Sequence, residues 1–519
     1  MGGLRLTAVD LNFAAIAPLV TVAVAALLVL VLDLVLPADR SRPWWFAVSV
    51  GGLLLALWYV RSLWGGAAAP GVFEGTLTRG ITAFGGAFIL DRFTLIFTAI
   101  VLVAALLSIL ISALRSERDL SGYLALILWS ALGMAVLAGA GNLLTLFLGL
   151  EILSLSLYVI VAFREGERSR EAAFKYLILG SVASGAFLYG TALVYAQTGG
   201  MALESLALGW TSGGALMKVG FGLVVAAFAF KLALAPFHVW APDVYEGAAA
   251  PVTAFMSVGT KAAAFAGLVR FLAAALPEQS GVLMLPLWIL AIVSMVVGSV
   301  GACAQTNVKR LLAYSGVAHV GYLMMALLGL NNDGISAGVF YLAAYLFVNI
   351  GAFAVVVWLG EGGREGEELS DFAGLFYRRP ALAGAMTLFL LSLAGLPPTG
   401  GFPGKLFLVY SALRSGAGSP ASWLVAALVI TTAVSAFAYL RVVTAMFRRG
   451  VAQTGREAQG EAAAEAAVAR DEAAAAPGAR SGFSWALAAA VALSVIGTVY
   501  LGVWPKSVLQ LAGQLLPLS

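Results

Sequence analysis

The chain reads as an all-α polytopic membrane protein of about fourteen transmembrane helices, with two inverted five-helix repeats that each hold one broken helix. Three observations predict this. Of the 519 residues, 61% are hydrophobic and only 11% are charged. Largely apolar stretches of about twenty or more residues recur along the chain, each able to cross a hydrocarbon core of about 30 Å. Two of these stretches are interrupted by proline and glycine at corresponding places.

In order, the spans fall near 13–36, 44–64, 93–113, 121–140, 142–163, 171–197, 219–247 (broken), 251–275, 283–303, 308–330, 336–360, 382–412 (broken), 421–446 and 483–503. The first is too long and too poorly flanked for a cleavable signal peptide. Three spans make an N-terminal segment, 1–120. The first repeat covers 121–280 and the second 281–446. Asn142 opens the fifth span and Asn307 precedes the tenth, 165 residues apart, and Tyr176-Leu177 and Tyr341-Leu342 keep that offset. The interrupted segments LALAPF (232–237) and LAGLPP (393–398) align at an offset of 161. Five spans is an odd number, so the second copy lies upside down relative to the first. In such a pair the interrupted helices mark the site. Residues 447–482, Ala/Glu-rich from 450 on, read as a solvated cytoplasmic loop, and 483–519 as a C-terminal helix.

Positive charge sets the orientation. The odd-numbered loops hold 18 of the 30 Lys and Arg, the opposite side holds 8, and Lys175, Lys231, Lys261 and Lys405 lie inside spans. The positive-inside rule places both termini on the non-cytoplasmic side. The net charge of +4 follows from that bias and implies no nucleic-acid partner. The single cysteine, Cys303, can form neither an intrachain disulfide nor a four-cysteine cluster, and two histidines are too few for a metal or haem centre. No dinucleotide fingerprint or phosphate-binding loop is present. The expectation is therefore no redox cofactor and no metal on this chain.

Four ionisable residues fall near mid-membrane. Glu151 lies nine residues past Asn142, about 14 Å along a helix. Lys231 lies twelve residues into its span, Lys261 ten residues past Pro251, and Lys405 just after the second break. Each charge at the bilayer centre costs about 2.5–3.5 kcal/mol on insertion scales. A lone lysine there can snorkel or serve a structural ion pair, as Lys175 does if it lies near its span's cytoplasmic end. Four such charges, two beside broken helices, point to a proton pathway. Burial disfavours a protonated lysine, and one opposite charge at 4 Å restores about 4 kcal/mol at an effective dielectric of 20. Lysine can use that balance where arginine stays charged, and no arginine takes any of the four places. Pro236 cannot donate to the carbonyl of Leu232, so it opens the helix beside Lys231. His238 follows the break and is expected to join Lys231 in one relay station, unless it is a helix-end residue facing headgroups. His319, at mid-span in AYSGVAHVGYLMM, is expected to link Lys261 toward Lys405. Pro397, Pro398 and Pro403, with Gly400, Gly401 and Gly404, loosen the backbone near Lys405.

The stretch PFHVWAPDVYEGAAAPVTAF resembles the signature of the antiporter-like membrane subunits of respiratory complex I, and its PDVYEG form is similar to the subunit-N branch. EAAFKYLILGSVASGAFLYG, NVKRLLAYSGVAHVGYLMM and GLPPTGGFPGKLFLV resemble the same family, over about residues 90–450. Three departures stand out: AAAPV for a more usual APTPV, Pro403 before the Gly-Lys pair, and the insertion at 450–482. The resemblance implies that Glu151 and Lys231 are a charged pair, Lys261 a central lysine and Lys405 the terminal lysine of a second half-channel. It also implies that His238 and His319 lie on a polar axis and that Lys175 belongs to a Lys-Tyr pair. Carried over, it implies a proton-translocating subunit of NADH:quinone oxidoreductase in a bacterial inner membrane, beside subunits K and M. NADH, flavin, iron–sulfur clusters and quinone would then be bound by other subunits. The alternatives are an Mrp-type cation/proton antiporter subunit and a purely structural subunit that bridges neighbours.

Overall fold

A computed structural model describes residues 12–64, 81–114, 119–206, 214–275, 281–328, 330–360, 365–415, 418–448 and 484–513. The expected loop at 450–482 lies outside the described residues. Among the described residues the regular structure is helical apart from one antiparallel hairpin, β1 (Ile81–Ala83) and β2 (Phe88–Leu90), with Ile81 opposite Leu90. The first helices are α1 (Ala17–Val35), α2 (Ala38–Trp64), α3 (Arg92–Ile111), α4 (Leu120–Ala138), α5 (Leu143–Val161) and α6 (Glu167–Thr198). Around the first break lie α7 (Ala215–Leu232), α8 (Trp240–Gly247) and α9 (Ala250–Ala275). Then come α10 (Gly281–Cys303), α11 (Val308–Leu323), α12 (Asn332–Leu359) and the short α13 (Leu375–Arg378). The second break separates α14 (Pro380–Ala394) from α15 (Gly401–Arg414). The long α16 (Ser419–Phe447), then α17 (Ser484–Val503) and α18 (Pro505–Ala512), are the last helices among the described residues.

Twelve helices among the described residues are long and apolar enough to cross a membrane. The two other expected crossings fall on shorter pieces. One is α11, 16 residues long and continued by a 3₁₀ turn at Met324–Leu327. The other is the pair α14 and α15, of 15 and 14 residues.

Side-chain caps fix several helix starts. Asp91, Asn142, Asn307 and Asn331 each accept a backbone N–H three residues on, satisfying a donor that the helix leaves unpaired. Small residues set close approaches: a Cβ on Gly190 of α6 or Gly220 of α7 would meet the other's carbonyl oxygen at 2.7 Å. The apolar span of α9 is buried throughout, whereas α6 and α16 bury only 28% and 33% of theirs, so α9 is the axial helix of the bundle. It contains one wide π-helical turn at Met256–Thr260, immediately before Lys261.

Ion pairs hold both ends of α9. Near its C-terminus Arg270 donates to both Asp91 carboxylate oxygens at 2.7 and 2.9 Å, to the Thr94 hydroxyl at 2.6 Å and to the Ala138 carbonyl at 2.5 Å. At the start of α9 the Ala250 N–H donates to Glu365 at 2.7 Å, and Glu365 also accepts from Lys309 Nζ at 2.8 Å. Lys309 is fully buried and donates as well to the Ala248 carbonyl at 2.5 Å. Burial opposes ionisation of Glu365, but the charges of Lys309 and Arg164 hold its carboxyl below the usual glutamate range.

Candidate functional site

The two breaks share a backbone device. At the first, α7 ends on Ala233 in the left-handed region (φ 62°), with the Leu234 N–H bonded to the Ala229 carbonyl at 2.9 Å. At the second, α14 ends on Gly395 (φ 79°), with the Leu396 N–H bonded to the Leu391 carbonyl at 3.0 Å. A cis X-Pro bond follows each reversal, at Ala235-Pro236 and Pro397-Pro398. Ala233 therefore matches Gly395, and Pro236 matches Pro398, at an offset of 162 rather than the expected 161. The helix has already stopped at Leu232, so the reversal at Ala233 ends it before Pro236 is reached.

Lys231 is buried in the last turn of α7. Its Nζ donates to the Tyr176 hydroxyl at 3.3 Å and lies 5.1 and 5.5 Å from the ring centroids of Tyr176 and Tyr158. Trp240 stacks on Tyr176 at 4.6 Å, and its indole N–H donates to the Phe230 carbonyl at 3.0 Å, inside the broken turn. Glu151 is only partly buried, on an outward face of α5 where Leu148 and Leu155 are exposed. It accepts from the Ser184 hydroxyl of α6. No described carboxylate lies within 4.0 Å of Lys231, so the expected pair with Glu151 is not in contact. His238 is half-buried on the exposed turn after Pro236, its ring 6.2 Å from that of Tyr314 and its Nδ1 without a partner. No bond joins it to Lys231.

Lys261 is enclosed between α9, α11 and α12. Its Nζ donates to the Tyr345 hydroxyl at 3.3 Å and lies 5.2 Å from that ring's centroid. His319 of α11 sits among tyrosines. Its Nδ1 meets the Tyr341 hydroxyl at 2.5 Å and its Nε2 the Tyr439 hydroxyl at 3.3 Å, with the rings of Tyr345 and Tyr322 at 5.2 and 5.4 Å. Lys405, buried in α15, donates to the Leu393 carbonyl at 2.9 Å and to the Thr432 hydroxyl at 3.2 Å, and lies 5.1 Å from the Tyr322 ring. A narrow cavity with about 10 Å³ of free volume is lined in part by His319, Tyr345 and Lys405. That is about the room one water needs. The structure thus gathers Lys261, His319 and Lys405 around one set of tyrosines. Lys175 lies elsewhere, half-exposed at the start of α6, paired with Glu171 at 2.7 Å and Asp243 at 2.8 Å.

Residues 140–445 match the family model described as NADH:quinone oxidoreductase/Mrp antiporter, TM. The chain belongs to the NADH:quinone oxidoreductase/Mrp antiporter membrane-subunit family. A relative from Symbiobacterium thermophilum, NADH-quinone oxidoreductase subunit N 1, is 47% identical over 452 residues, covering 85% of this chain and 89% of that protein. One from Chloroflexus aggregans, NADH-quinone oxidoreductase subunit N, is 41% identical over 458 residues, covering 86% and 90%. A chain of respiratory complex I from Thermus thermophilus with bound aureothin has a TM-score of 0.74 at 34% identity, covering 96% of this chain and 99% of that one. A chain of the Mrp complex from a Dietzia species shares the fold, with a TM-score of 0.78 at 24% identity and 97% coverage of each. As an antiporter-family membrane subunit, the protein crosses the membrane many times and carries buried Lys and His side chains suited to proton translocation. Among the described residues no group of three or more His, Cys, Asp or Glu is placed to hold a metal ion.

Two sets of residues in this family member escape a reading of its sequence. The first is the tyrosines that meet each buried group: Tyr158 and Tyr176, then Tyr322, Tyr341, Tyr345 and Tyr439. The repeated Tyr-Leu pairs at 176 and 341 were the available signal, and they mark a repeat without revealing what the hydroxyls touch. The second is the ion cluster that explains PDVYEG. Asp243 accepts from Lys175 at 2.8 Å and from Arg310 at 2.7 Å, and Glu246 accepts from Arg310 at 2.8 Å. Gly247 lets α8 approach α6, since a Cβ there would lie 2.8 Å from the Arg168 carbonyl oxygen.

Proposed function

We propose that this chain carries protons within the membrane arm of an NADH:quinone oxidoreductase, with electron transfer on other chains. One observation carries the reading: three lysines, Lys231, Lys261 and Lys405, are buried in the membrane bundle, and each bonds to neutral hydroxyl or carbonyl groups. An ammonium without a counter-charge is costly there, and a lysine can shed the proton where an arginine cannot. Glu151 supplies a mobile counter-charge for Lys231, His319 lies between Lys261 and Lys405, and Lys175 serves the cytoplasm-facing approach, while His238, expected beside Lys231 but unbonded to it, stands aside from the route. The matched breaks support two inverted repeats of five spans, 121–280 and 281–446, between an N-terminal segment, 1–120, and the parts at 447–482 and 483–519. The charge bias supports non-cytoplasmic termini in a bacterial inner membrane. The subunit-N relatives favour the oxidoreductase over the antiporter and support membrane-arm partners, of which subunits K and M are the proposed neighbours.

The test compares arginine with alanine at Lys261 in the assembled complex, reconstituted in vesicles. If Lys261 must release its proton, both variants lose pumping and coupled quinone reduction. If arginine restores what alanine loses, the position acts only through its charge, and the proton-carrier role is wrong.

A further inference from the structure

We infer that Tyr345 passes the proton of Lys261 on toward Lys405, and that Gly316 leaves the clearance that lets Lys261 reach it. The inference rests on the proposed proton-carrying role of Lys261 and names the atoms by which the proton leaves. Lys261 on α9 and Tyr345 on α12 are 84 residues apart in sequence, yet Nζ donates to the Tyr345 hydroxyl at 3.3 Å in a buried contact. Tyr345 also lines the narrow cavity that Lys405 borders. It therefore touches the source on one side and the space leading to the acceptor on the other.

His319 is the obvious competitor for this handoff, and its bonding argues against it. Both ring nitrogens already meet tyrosines, Nδ1 at Tyr341 and Nε2 at Tyr439, which leaves neither to face Lys261. Gly316 on α11 gives an independent sign. A Cβ there would overlap Lys261 Nζ and lie 3.2 Å from the Tyr345 hydroxyl oxygen. The first atom struck is the flexible end of a lysine, so a small side chain would displace the ammonium and leave the helices in place.

In the step, an N–H bond of the Lys261 ammonium breaks as an O–H bond forms at Tyr345. The phenol's own proton leaves at the same time, through a water in the cavity, to the free amine of Lys405. Tyr345 begins and ends neutral, Lys261 becomes an amine and one positive charge moves to Lys405.

The experiment uses the whole complex in proton-tight vesicles driven by NADH. Tyr345→Phe keeps the ring beneath Lys261 and removes only the hydroxyl. Pumping is expected to fall several-fold, with assembly and the KM for NADH unchanged. Gly316→Ala is expected to slow pumping by itself, yet to add nothing to Lys261→Ala, because its effect runs through the position of that lysine. Normal pumping in assembled Tyr345→Phe overturns the relay, and an additive loss in the double variant overturns the role of Gly316. The parent reading fails separately: normal pumping in Lys261→Ala removes the carrier role itself, whereas a defective Lys261→Ala beside a normal Tyr345→Phe removes only the handoff.

Discussion

The two helix breaks begin alike and are completed differently. At the first, the exposed groups are met by uncharged partners. The Ser294 hydroxyl accepts the Ala235 N–H at 2.8 Å, and the Trp240 indole donates to the Phe230 carbonyl. Lys231 takes no part, and faces a tyrosine instead. At the second, Pro397 has no N–H to offer the Leu393 carbonyl four residues back, and the Lys405 ammonium fills that place at 2.9 Å. The Gly400 N–H meets the Thr498 carbonyl of α17 at 2.9 Å. The difference teaches that a lysine near a break need not belong to it. Lys231 is a charge lodged beside a finished helix end, whereas Lys405 finishes the end itself.

The sharpest way to break this comparison is to remove both ammoniums. Lys405→Met and Lys231→Met should each abolish most coupled pumping. Only Lys405→Met should also lower thermal stability of the assembled complex, by about 1–3 kcal/mol for a buried carbonyl left unpaired. Equal melting of the two variants would show that Lys405 has no backbone role.

A smaller contrast lies in the reversals. Gly395→Ala places a side chain in a left-handed conformation, at about 1–2 kcal/mol, and sets its Cβ 3.0 Å from Lys405 Cδ. It should lower both melting temperature and pumping. Ala233→Gly, at the matching position, relieves the same strain and should cost little in either assay. If Ala233→Gly proves as damaging, the two reversals are not equivalent.

The ion pair beneath α9 gives a pH-dependent effect outside the membrane. Because the folded protein holds the Glu365 carboxyl below its ordinary value, this group stabilises the fold fully above the unfolded value of about 4.3. That contribution is lost as pH falls through the lower folded value. Glu365→Gln should therefore melt below the parent near neutral pH, and the gap should close in acid. A gap that is constant with pH would place the effect elsewhere. The smallest change is expected from His238→Gln, measured as pumping, since His238 faces Tyr314 and bonds to nothing on Lys231. A loss matching that of Lys231→Met would put His238 on the route.

The breaks and the mid-span lysines were legible because proline, glycine and charge are costly in hydrocarbon and so stand out in an apolar stretch. Their partners were not. Tyr176 and Lys231 are 55 residues apart, Tyr345 and Lys261 are 84, and a buried tyrosine looks like any other aromatic until the helices pack. The charge tally also hid a fact of another kind. Lys309 counts as a loop cation toward orientation, yet it is wholly buried under the Glu365 segment. Counting charges tells which side of the membrane they favour and says nothing about whether water reaches them. The breaks themselves were misaligned by one residue, because matching Pro236 to Pro397 by letter overlooks that the backbone turns at Ala233 and Gly395.

The wide turn at Met256–Thr260 acts as a change of phase. A π-helical turn holds one more residue than its α-helical neighbours, so everything beyond it is rotated relative to the helix that precedes it. Upstream of the turn, α9 is in register with Ser108, whose hydroxyl donates to the Pro251 carbonyl at 2.8 Å. Downstream, Lys261 is in register with Tyr345. One helix thereby serves two angular settings, one dictated by packing and the other by chemistry, and the extra residue absorbs the mismatch between them. Shortening the turn by a residue would leave the composition of α9 almost untouched while turning Lys261 relative to the packing that fixes its upstream end.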